Sequence, residues 1–352
     1  MNRSRIQTSL LIVIATCVWA PTLSAVDIVT RRSDNAKIRG SIERSDQTQI
    51  VVKRTNGEEE VIPVSNIKRV EFDGEPQTLN QARTNEASGA HETALEKLRE
   101  IRTSYNGSNA ALKADIDFLI ARVLGSMALV DATKADEAIK ALGDFRSSNK
   151  DNFRYLEATL LQASLHAKKQ ETDAGKTLLA ELQQCAVKGF QLQAGVELGR
   201  LLLNAGDAAG AQAAFEDVVS KSQGDESAAG AMFDGMLGRA MCLKQQNQLD
   251  PCIQALDDVI SQAPETETRI LAEAWLRKGD CLRLQSEAKA ALMAYLHVDV
   301  LYPGESLQHA EALARLAELW KPTGHEDRAI EAAAKLTERY PNSEWAKQGT
   351  GG

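Results

Sequence analysis

The histidines and cysteines are the residues of this chain whose chemistry is most often catalytic or metal-binding. The histidines are His91, His166, His297, His309 and His325. No two of them stand three or four residues apart, so the helical zinc signature of metalloproteases is absent. The cysteines have neither the spacing of a zinc site nor that of a redox pair. These residues therefore predict no metal, no cofactor and no catalytic centre.

Two short motifs are similar to parts of enzyme active sites. The segment Ala174-Gly175-Lys176-Thr177 is similar to the end of a phosphate-binding loop, but Gln170 stands where the loop needs its first glycine. Ser286 and Lys289 have the serine–lysine spacing of some acyl enzymes. We instead expect Ser286 to cap a helix, with Glu287 in its first turn, because both residue types favour helix starts. The chain is therefore not expected to be an enzyme.

A spacing pattern of small residues recurs in the second half of the chain. It predicts the helices that would position any functional site. A small residue is followed by another small residue after twelve positions, and by a packing residue four positions later. The pairs are Gly199 and Ala211, Ala240 and Cys252, Gly279 and Ala291, and Ala317 and Ala329, with Phe215, Leu256, Tyr295 and Ala333 as the later residues. Small residues let two helices cross closely, so the pattern predicts a helix–turn–helix repeat.

The pattern resembles the tetratricopeptide repeat family. The fullest copy contains Trp275, Gly279, Leu282, Ala291, Tyr295 and Pro303 at the family's aromatic, glycine, large, alanine, aromatic and proline positions. Copies start every 38 to 41 residues, against about 34 in the usual repeat, and this longer form is similar to bacterial envelope members of the family. The resemblance implies a mainly α fold, with an α-solenoid of about seven helical hairpins over residues 78–348 and a flexible tail at 349–352.

Residues 26–74 have an apolar period of two, which predicts strands. Ile38, Gly40 and Ile42 alternate with polar residues, and Asn56-Gly57 is a strong hairpin turn. Four or five short strands predict a small, closed or half-closed β-barrel that resembles SH3-like and Sm-like barrels. Gly40 would let a strand bend sharply. Residues 75–77 are the expected linker to the helices.

Sm-like folds often bind RNA, but the predicted barrel lacks the features that RNA binding needs. Residues 26–76 contain nine basic and ten acidic residues, and Phe72 is their one aromatic residue. A nucleic-acid surface needs a basic face with stacking rings. We therefore expect no nucleic-acid partner.

The first 25 residues have the features of a secretory signal peptide. Arg3 and Arg5 precede a short apolar run, Pro21 ends it, and Ala25 suits cleavage by signal peptidase. The run is too short to span a bilayer, which takes about 20 residues, and no later segment is apolar enough. We expect an exported protein of the periplasm or cell envelope. Anchoring through a lipid on Cys17 is the alternative.

Four cysteines follow the predicted signal peptide. Cys252 stands at an alanine position of the repeat, and Cys242 and Cys281 share one repeat position. The fourth is Cys185. An oxidising compartment would permit disulfides among these four cysteines. We expect small buried residues, because free cysteine is often buried.

In the tetratricopeptide family the first helix of each repeat lines the concave face, and this gives the candidate partner-binding residues by position. They are Arg200, Met241, Lys244, Arg277, Arg283 and Arg315. The same comparison of positions predicts that Glu273, Asp280 and Glu311 are exposed. It also predicts the ion pairs Glu273–Arg277 and Glu311–Arg315. The carboxylate clamp of chaperone-binding members is absent, because Val196 and Arg200 stand where it needs lysine and asparagine.

These features predict a noncatalytic scaffold or adaptor in the cell envelope that binds a protein or peptide along the concave face. An accessory subunit of an envelope assembly, secretion or transport machine is the second hypothesis. A glycan-associated envelope enzyme is the third, and it would need an acid pair or metal site in the folded groove. Without the signal peptide the net charge changes from −8 to −10, which argues against nonspecific nucleic-acid binding. The sequence predicts no particular oligomeric state.

Overall fold

The structure is a computed structural model that describes residues 26–349, apart from the side chains at positions 130, 348 and 349. The predicted signal peptide, Cys17 and residues 350–352 lie outside the described residues. Export, cleavage after Ala25 and a flexible tail therefore stay predictions.

Five antiparallel strands form a sheet at the start of the described chain. They are β1 (Asp27–Arg31), β2 (Lys37–Ser45), β3 (Gln49–Arg54), β4 (Glu59–Pro63) and β5 (Ile67–Glu71), in the spatial order β4-β3-β2-β1-β5. Among the described residues, β4 and β5 are not hydrogen-bonded to each other as neighbouring strands. The sheet therefore keeps two edges, which corresponds to the half-closed form of the expected barrel.

Gly40 lies where β2 changes partners, and Gly57 closes the predicted hairpin. Gly40 is opposite Asp27 of β1 and opposite Arg54 of β3. A Cβ atom at position 40 would lie 2.1 Å from the carbonyl oxygen of Lys53, so another residue does not fit. Gly57 has a φ of 89° between β3 and β4, which confirms the hairpin turn.

Among residues 26–349, fourteen helices follow in seven hairpins, which confirms the predicted solenoid. The helices of hairpins 1 to 4 are α1 (Gln77–Ala87), α2 (His91–Ser104), α3 (Ala110–Val130), α4 (Ala135–Ser148), α5 (Tyr155–Lys168), α6 (Thr172–Gln183), α7 (Lys188–Asn204) and α8 (Ala208–Ser222). Those of hairpins 5 to 7 are α9 (Ala229–Gln245), α10 (Leu249–Gln262), α11 (Thr268–Leu284), α12 (Ala288–Leu301), α13 (Ser306–Trp320) and α14 (Glu326–Arg339). A short helix, α15 (Glu344–Gly349), follows hairpin 7. No helix among the described residues is both long and apolar enough to cross a membrane.

The predicted close crossings at Gly279 and Gly199 are present, and an aromatic ring fills the space at each. A Cβ atom on Gly279 would lie 2.5 Å from the ring of Tyr295, and one on Gly199 would lie 2.5 Å from the ring of Phe215. Both rings are fully buried. The glycine of the first helix therefore packs against the aromatic residue of the second helix, four positions beyond the alanine.

The turn inside most hairpins contains one residue with left-handed backbone. These residues are Gly89, Gln170, Gly206, Asn247, Ser286 and Gly324. The predicted helix cap at Ser286 is therefore wrong, because this residue has a φ of 66° and Glu287 occupies the cap position of α12. The backbone amide of Ser286 instead donates to the carbonyl of Arg283, which closes the turn after α11.

The sheet and the first two hairpins share one hydrophobic core. Its fully buried members include Val29, Ile50, Val70, Leu79, Leu112, Ile116 and Phe118. Arg83 of α1 donates to the carbonyl of Val70 at 3.1 Å, and Gln47 donates to the carbonyl of Lys150 at 2.7 Å. Glu75, in the expected linker, accepts from Arg83 at 2.8 Å. The sheet thus covers the N-terminal end of the helical array.

The helical array bends round until its C-terminal end approaches hairpins 2 and 3. A crevice of about 740 Å³ lies between these parts of the chain. Its lining includes Leu129, Lys168, Leu307, Tyr340 and Trp345. The pKa of Asp131, which follows α3, is lowered mainly by hydrogen bonds from Thr133 and also by the charge of Lys347.

Candidate protein-binding groove

The first helices of hairpins 3, 4 and 5 line a groove of about 510 Å³, which we call the concave groove. Its apolar lining is Leu160, Leu192, Val196, Ala228 and Ala231, and its polar lining includes Ser164, Gln193, Glu197, Arg200, Ser227 and Asp234. α5, α7 and α9 carry most of these residues, because successive first helices stack side by side in a solenoid. Ser227 and Ala228 directly precede α9. Leu192, Val196 and Ala228 are buried at the bottom of the groove. The groove therefore combines an apolar floor with hydrogen-bonding edges.

Two glycines widen this groove. Gly189 and Gly230 are the second residues of α7 and α9, and both line the groove. A Cβ atom at either position would meet no heavy atom within 4 Å. The space beside these glycines is therefore open, in contrast to the filled space beside Gly279.

Ion pairs join the first helices beyond the groove, and we call this set the ion-pair ladder. Its members are Arg200, Asp234, Lys244, Arg269, Glu273, Arg277, Asp280, Glu311 and Arg315. Arg200 of α7 lies 3.0 Å from Asp234 of α9, and Lys244 of α9 lies 3.3 Å from Asp280 of α11. Arg277 of α11 lies 2.7 Å from Glu311 of α13. The ladder thus links four consecutive hairpins.

Asp280 is the centre of the ladder. Burial alone would raise the pKa of its carboxyl group, but the charges of Arg277 and Lys244 outweigh burial and hold the pKa below the ordinary value of 3.8. Tyr295 also donates a hydrogen bond to it at 3.0 Å. The prediction that Asp280 and Glu311 are exposed is wrong, since they are 3 % and 8 % exposed. Cations from neighbouring helices cover both carboxylates: Lys244 of α9 contacts Asp280, and Arg277 of α11 contacts Glu311.

The structure brings four of the six candidate residues together. Arg200, Lys244, Arg277 and Arg315 all belong to the ladder, and Arg200 also lines the concave groove. The predicted pairs of Arg277 with Glu273 and of Arg315 with Glu311 are confirmed at 2.8 and 3.6 Å. The binding role of these residues stays a prediction, and their charges are already matched within the protein.

The other two candidates lie outside the ladder. Met241 is half-buried and packs on the core of hairpin 5. Arg283 is exposed and interacts with Tyr295. Sequence reasoning missed Gly189 and Gly230, although they stand 41 residues apart, in the same repeat register as Gly199 and Ala240.

The cysteines behave as expected at three of four positions. Cys242, Cys252 and Cys281 are fully buried, and Cys185 is partly exposed. Within residues 26–349, the His, Cys, Asp and Glu side chains form no group of three that could hold a metal ion.

Comparisons with known proteins agree with this architecture. The family model of the tetratricopeptide repeat matches residues 234–266 and 307–343, which lie in hairpins 5 and 7. No curated protein has a significant sequence match. The chain therefore contains tetratricopeptide repeats, and its helices form a solenoid of that type, a fold whose concave surfaces serve as scaffolds for protein–protein interaction.

Two solved structures show the same fold. A tetratricopeptide repeat protein from Parabacteroides merdae has a TM-score of 0.53 and 16 % identity, over 77 % of this chain and 95 % of that one. A Rap protein complexed with competence and sporulation factor has a TM-score of 0.52 and 12 % identity, over 77 % of each chain. At these identities the similarity concerns the fold alone.

Proposed function

We propose that this chain is a noncatalytic scaffold whose concave groove binds an extended segment of a partner protein. The observation that carries the proposal is the open space beside Gly189 and Gly230, above an apolar floor. Ligand sites combine such apolar surface with a few polar groups that fix orientation. Here Ser164, Gln193 and Ser227 would bond the backbone of the segment, while the half-buried Leu160 and Ala231 would contact its apolar side chains.

The charges along the groove favour a partner segment with little net charge. Lys188 lies 2.6 Å from Asp225 at one end of the groove, and Arg200 is paired with Glu197 and Asp234 at the other end. Cations that are already paired attract a charged ligand less. Apolar contacts and backbone hydrogen bonds would therefore supply most of the affinity, and rim charges would chiefly affect the association rate.

The candidate residues further along the solenoid have a supporting role in this proposal. Lys244, Arg277 and Arg315 would hold the curvature of the concave face through their ion pairs, while Met241 and Arg283 would extend the binding surface. We place the protein in the cell envelope because of the signal-peptide features of residues 1–25. An accessory role in an envelope assembly, secretion or transport machine is the finer form of the same proposal, because a scaffold of this kind would use the same groove.

Filling the groove tests the proposal. A Cβ atom at position 230 would meet no heavy atom within 4 Å, so we expect Gly230→Leu to fold and to place its side chain in the groove. Affinity purification of the full chain from its native cells, followed by mass spectrometry, would identify the partners. We expect Gly230→Leu to lose at least about tenfold in partner recovery, which corresponds to roughly 1.4 kcal/mol of binding free energy.

Gly304→Leu is the matched control. Gly304 also has no atom within 4 Å of a Cβ position, and it lies between α12 and α13, away from the groove. This variant should recover the same partners as the unmodified chain. Equal recovery by Gly230→Leu and Gly304→Leu, with unchanged melting temperatures, would assign binding to another surface.

A further inference from the structure

Two buried cysteine sulfurs are in contact between hairpins 5 and 6. The Sγ atoms of Cys252 in α10 and Cys281 in α11 lie 3.2 Å apart. Both residues are fully buried. Both are free thiols in this structure. A disulfide has an S–S length of about 2.05 Å, so bond formation would bring the two sulfurs closer by roughly 1.2 Å. Cys185, in contrast, directs its sulfur to the carbonyl of Val187.

Packing alone does not require sulfur at position 252. The equivalent positions of hairpins 4, 6 and 7 are Ala211, Ala291 and Ala329. All three alanines are buried at the crossing of their two helices, as Cys252 is. Alanine therefore satisfies the packing of this repeat position. Hairpin 5 is the one of these four hairpins that has cysteine at this position, and its sulfur contacts that of Cys281.

We propose that Cys252 and Cys281 form a disulfide that fastens hairpin 5 to hairpin 6. The oxidant would be another disulfide, either in a thiol–disulfide oxidoreductase or in a small molecule such as oxidised glutathione. One cysteine thiolate attacks the oxidant, which gives a mixed disulfide and releases one thiol. The other thiolate then attacks the mixed disulfide, forms the Cys252–Cys281 bond and releases the second thiol. The two electrons pass to the oxidant, and the two cysteine protons pass to water or to the released thiolates.

Burial determines when this reaction takes place. Neither sulfur is accessible in the folded chain, so the oxidant must react before α10 and α11 have packed, or during a local opening. The same burial protects the finished bond from reductants. The hydrogen bond with Cys281 and burial raise the pKa of the Cys252 thiol, and the charge of Lys244 offsets them only in part. The bond would lie directly behind the ion-pair ladder, since Asp280 precedes Cys281, and it would hold the two hairpins at a fixed angle.

Thiol mapping of the full chain tests the bond directly. The protein is unfolded in urea, refolded with mixed oxidised and reduced glutathione, alkylated and digested. We expect a cross-linked peptide pair that carries Cys252 and Cys281, while Cys185 and Cys242 are alkylated. Alkylation of both Cys252 and Cys281 after refolding, or bonds that involve Cys185 or Cys242, would overturn the proposal.

Melting temperatures of the oxidised and reduced protein, measured also for two cysteine variants, give a second test. Oxidation should raise the melting temperature of the unmodified chain by roughly 5–10 °C, because a cross-link restricts the unfolded chain. Cys252→Ala should fold, since alanine occupies this position in other hairpins, and it should lose the redox dependence. Cys242→Ala, at an equally buried cysteine, should keep it. A melting temperature that is independent of oxidant in the unmodified chain, or equally dependent in Cys252→Ala, would contradict a Cys252–Cys281 bond.

Discussion

The ring of Tyr295 lies where a side chain at position 279 would have to begin. Its nearest ring atom is 2.5 Å from the Cβ position of Gly279, and real Cβ atoms essentially never approach so closely. Gly230 is also helical, yet its Cβ position is open on every side. Glycine therefore has two separate roles in this chain: it allows helices to cross at Gly279, and it leaves space for a ligand at Gly230.

Gly279→Ala should lower the free energy of unfolding by roughly 1–3 kcal/mol, because the new methyl group must displace a buried ring. The control is Gly230→Ala, which should be neutral or stabilise by up to about 1 kcal/mol, since alanine is the better helix former. Urea unfolding followed by circular dichroism measures both. Equal shifts of the two midpoints would show that helix propensity, and not the crossing, governs position 279.

At the scale of elements, ion pairs connect helices that are about one repeat apart in sequence. Arg277 contacts Glu273 and Asp280 of its own helix and Glu311 of the next first helix. Its side chain is 20 % exposed, so these pairs are only partly screened by water. The removal of one partner from such a group leaves an opposite charge buried without compensation, which is more costly than the loss of an exposed pair.

The pH dependence of the free energy of unfolding should show how much the charge of Asp280 stabilises the fold. Its folded pKa lies below the ordinary value of 3.8. The stabilisation is therefore complete above the unfolded pKa of about 3.9, and it is lost as the pH falls through the lower folded pKa. Asp280→Asn should cost about 2 kcal/mol at pH 7, and the gap to the unmodified chain should shrink below about pH 4.

Urea unfolding at pH 7 and near pH 3 measures this gap. Glu318→Gln is the control, because Glu318 pairs with Arg315 while 59 % exposed, and its loss should cost less than about 0.5 kcal/mol. A gap for Asp280→Asn of the same size at both pH values would mean that its charge does not contribute to stability.

The hairpins could be predicted from the sequence because their signals are local and repeated. Gly279 and Tyr295 lie sixteen residues apart in one hairpin, and the same spacing recurs in Gly199 and Phe215. The burial of Asp280 could not be predicted in this way, because it depends on Lys244 and Arg277, which contact it from two helices. The groove depends on three hairpins together, and no single repeat contains its pattern.

At the scale of the whole molecule, both ends of the helical array are covered. Repeat arrays need such caps, since an end repeat otherwise exposes the apolar face that a neighbour would bury. The sheet covers hairpin 1 and continues the core of hairpins 1 and 2, while Trp345 and Ala346 of α15 pack on the core of hairpin 7. The sequence suggested a barrel joined by a linker, because side-chain patterns within the strands carry no information on which distant helix they contact.

A chain that starts at Gln77 should be less stable in hairpins 1 and 2. It lacks the strands that complete the core around Leu79 and Leu112, and Arg83 loses its acceptors on Val70 and Glu75. Hydrogen exchange should then show faster exchange in α1 to α4. The control is a chain that ends at Ser343, without α15, in which faster exchange should be confined to hairpin 7. Unchanged protection of α1 to α4 without the sheet would make the sheet an independent module.

The approach of hairpin 7 to Leu129 and Lys168 restricts how a partner can enter. Leu129 and Lys168 line a crevice of about 740 Å³ together with residues of hairpin 7 and α15. Under the proposed function, a partner with a free chain end could slide into the concave groove past this seam. A partner segment with folded domains on both sides would need the seam to open. We therefore expect partners with free ends to associate faster than partners that offer an internal segment.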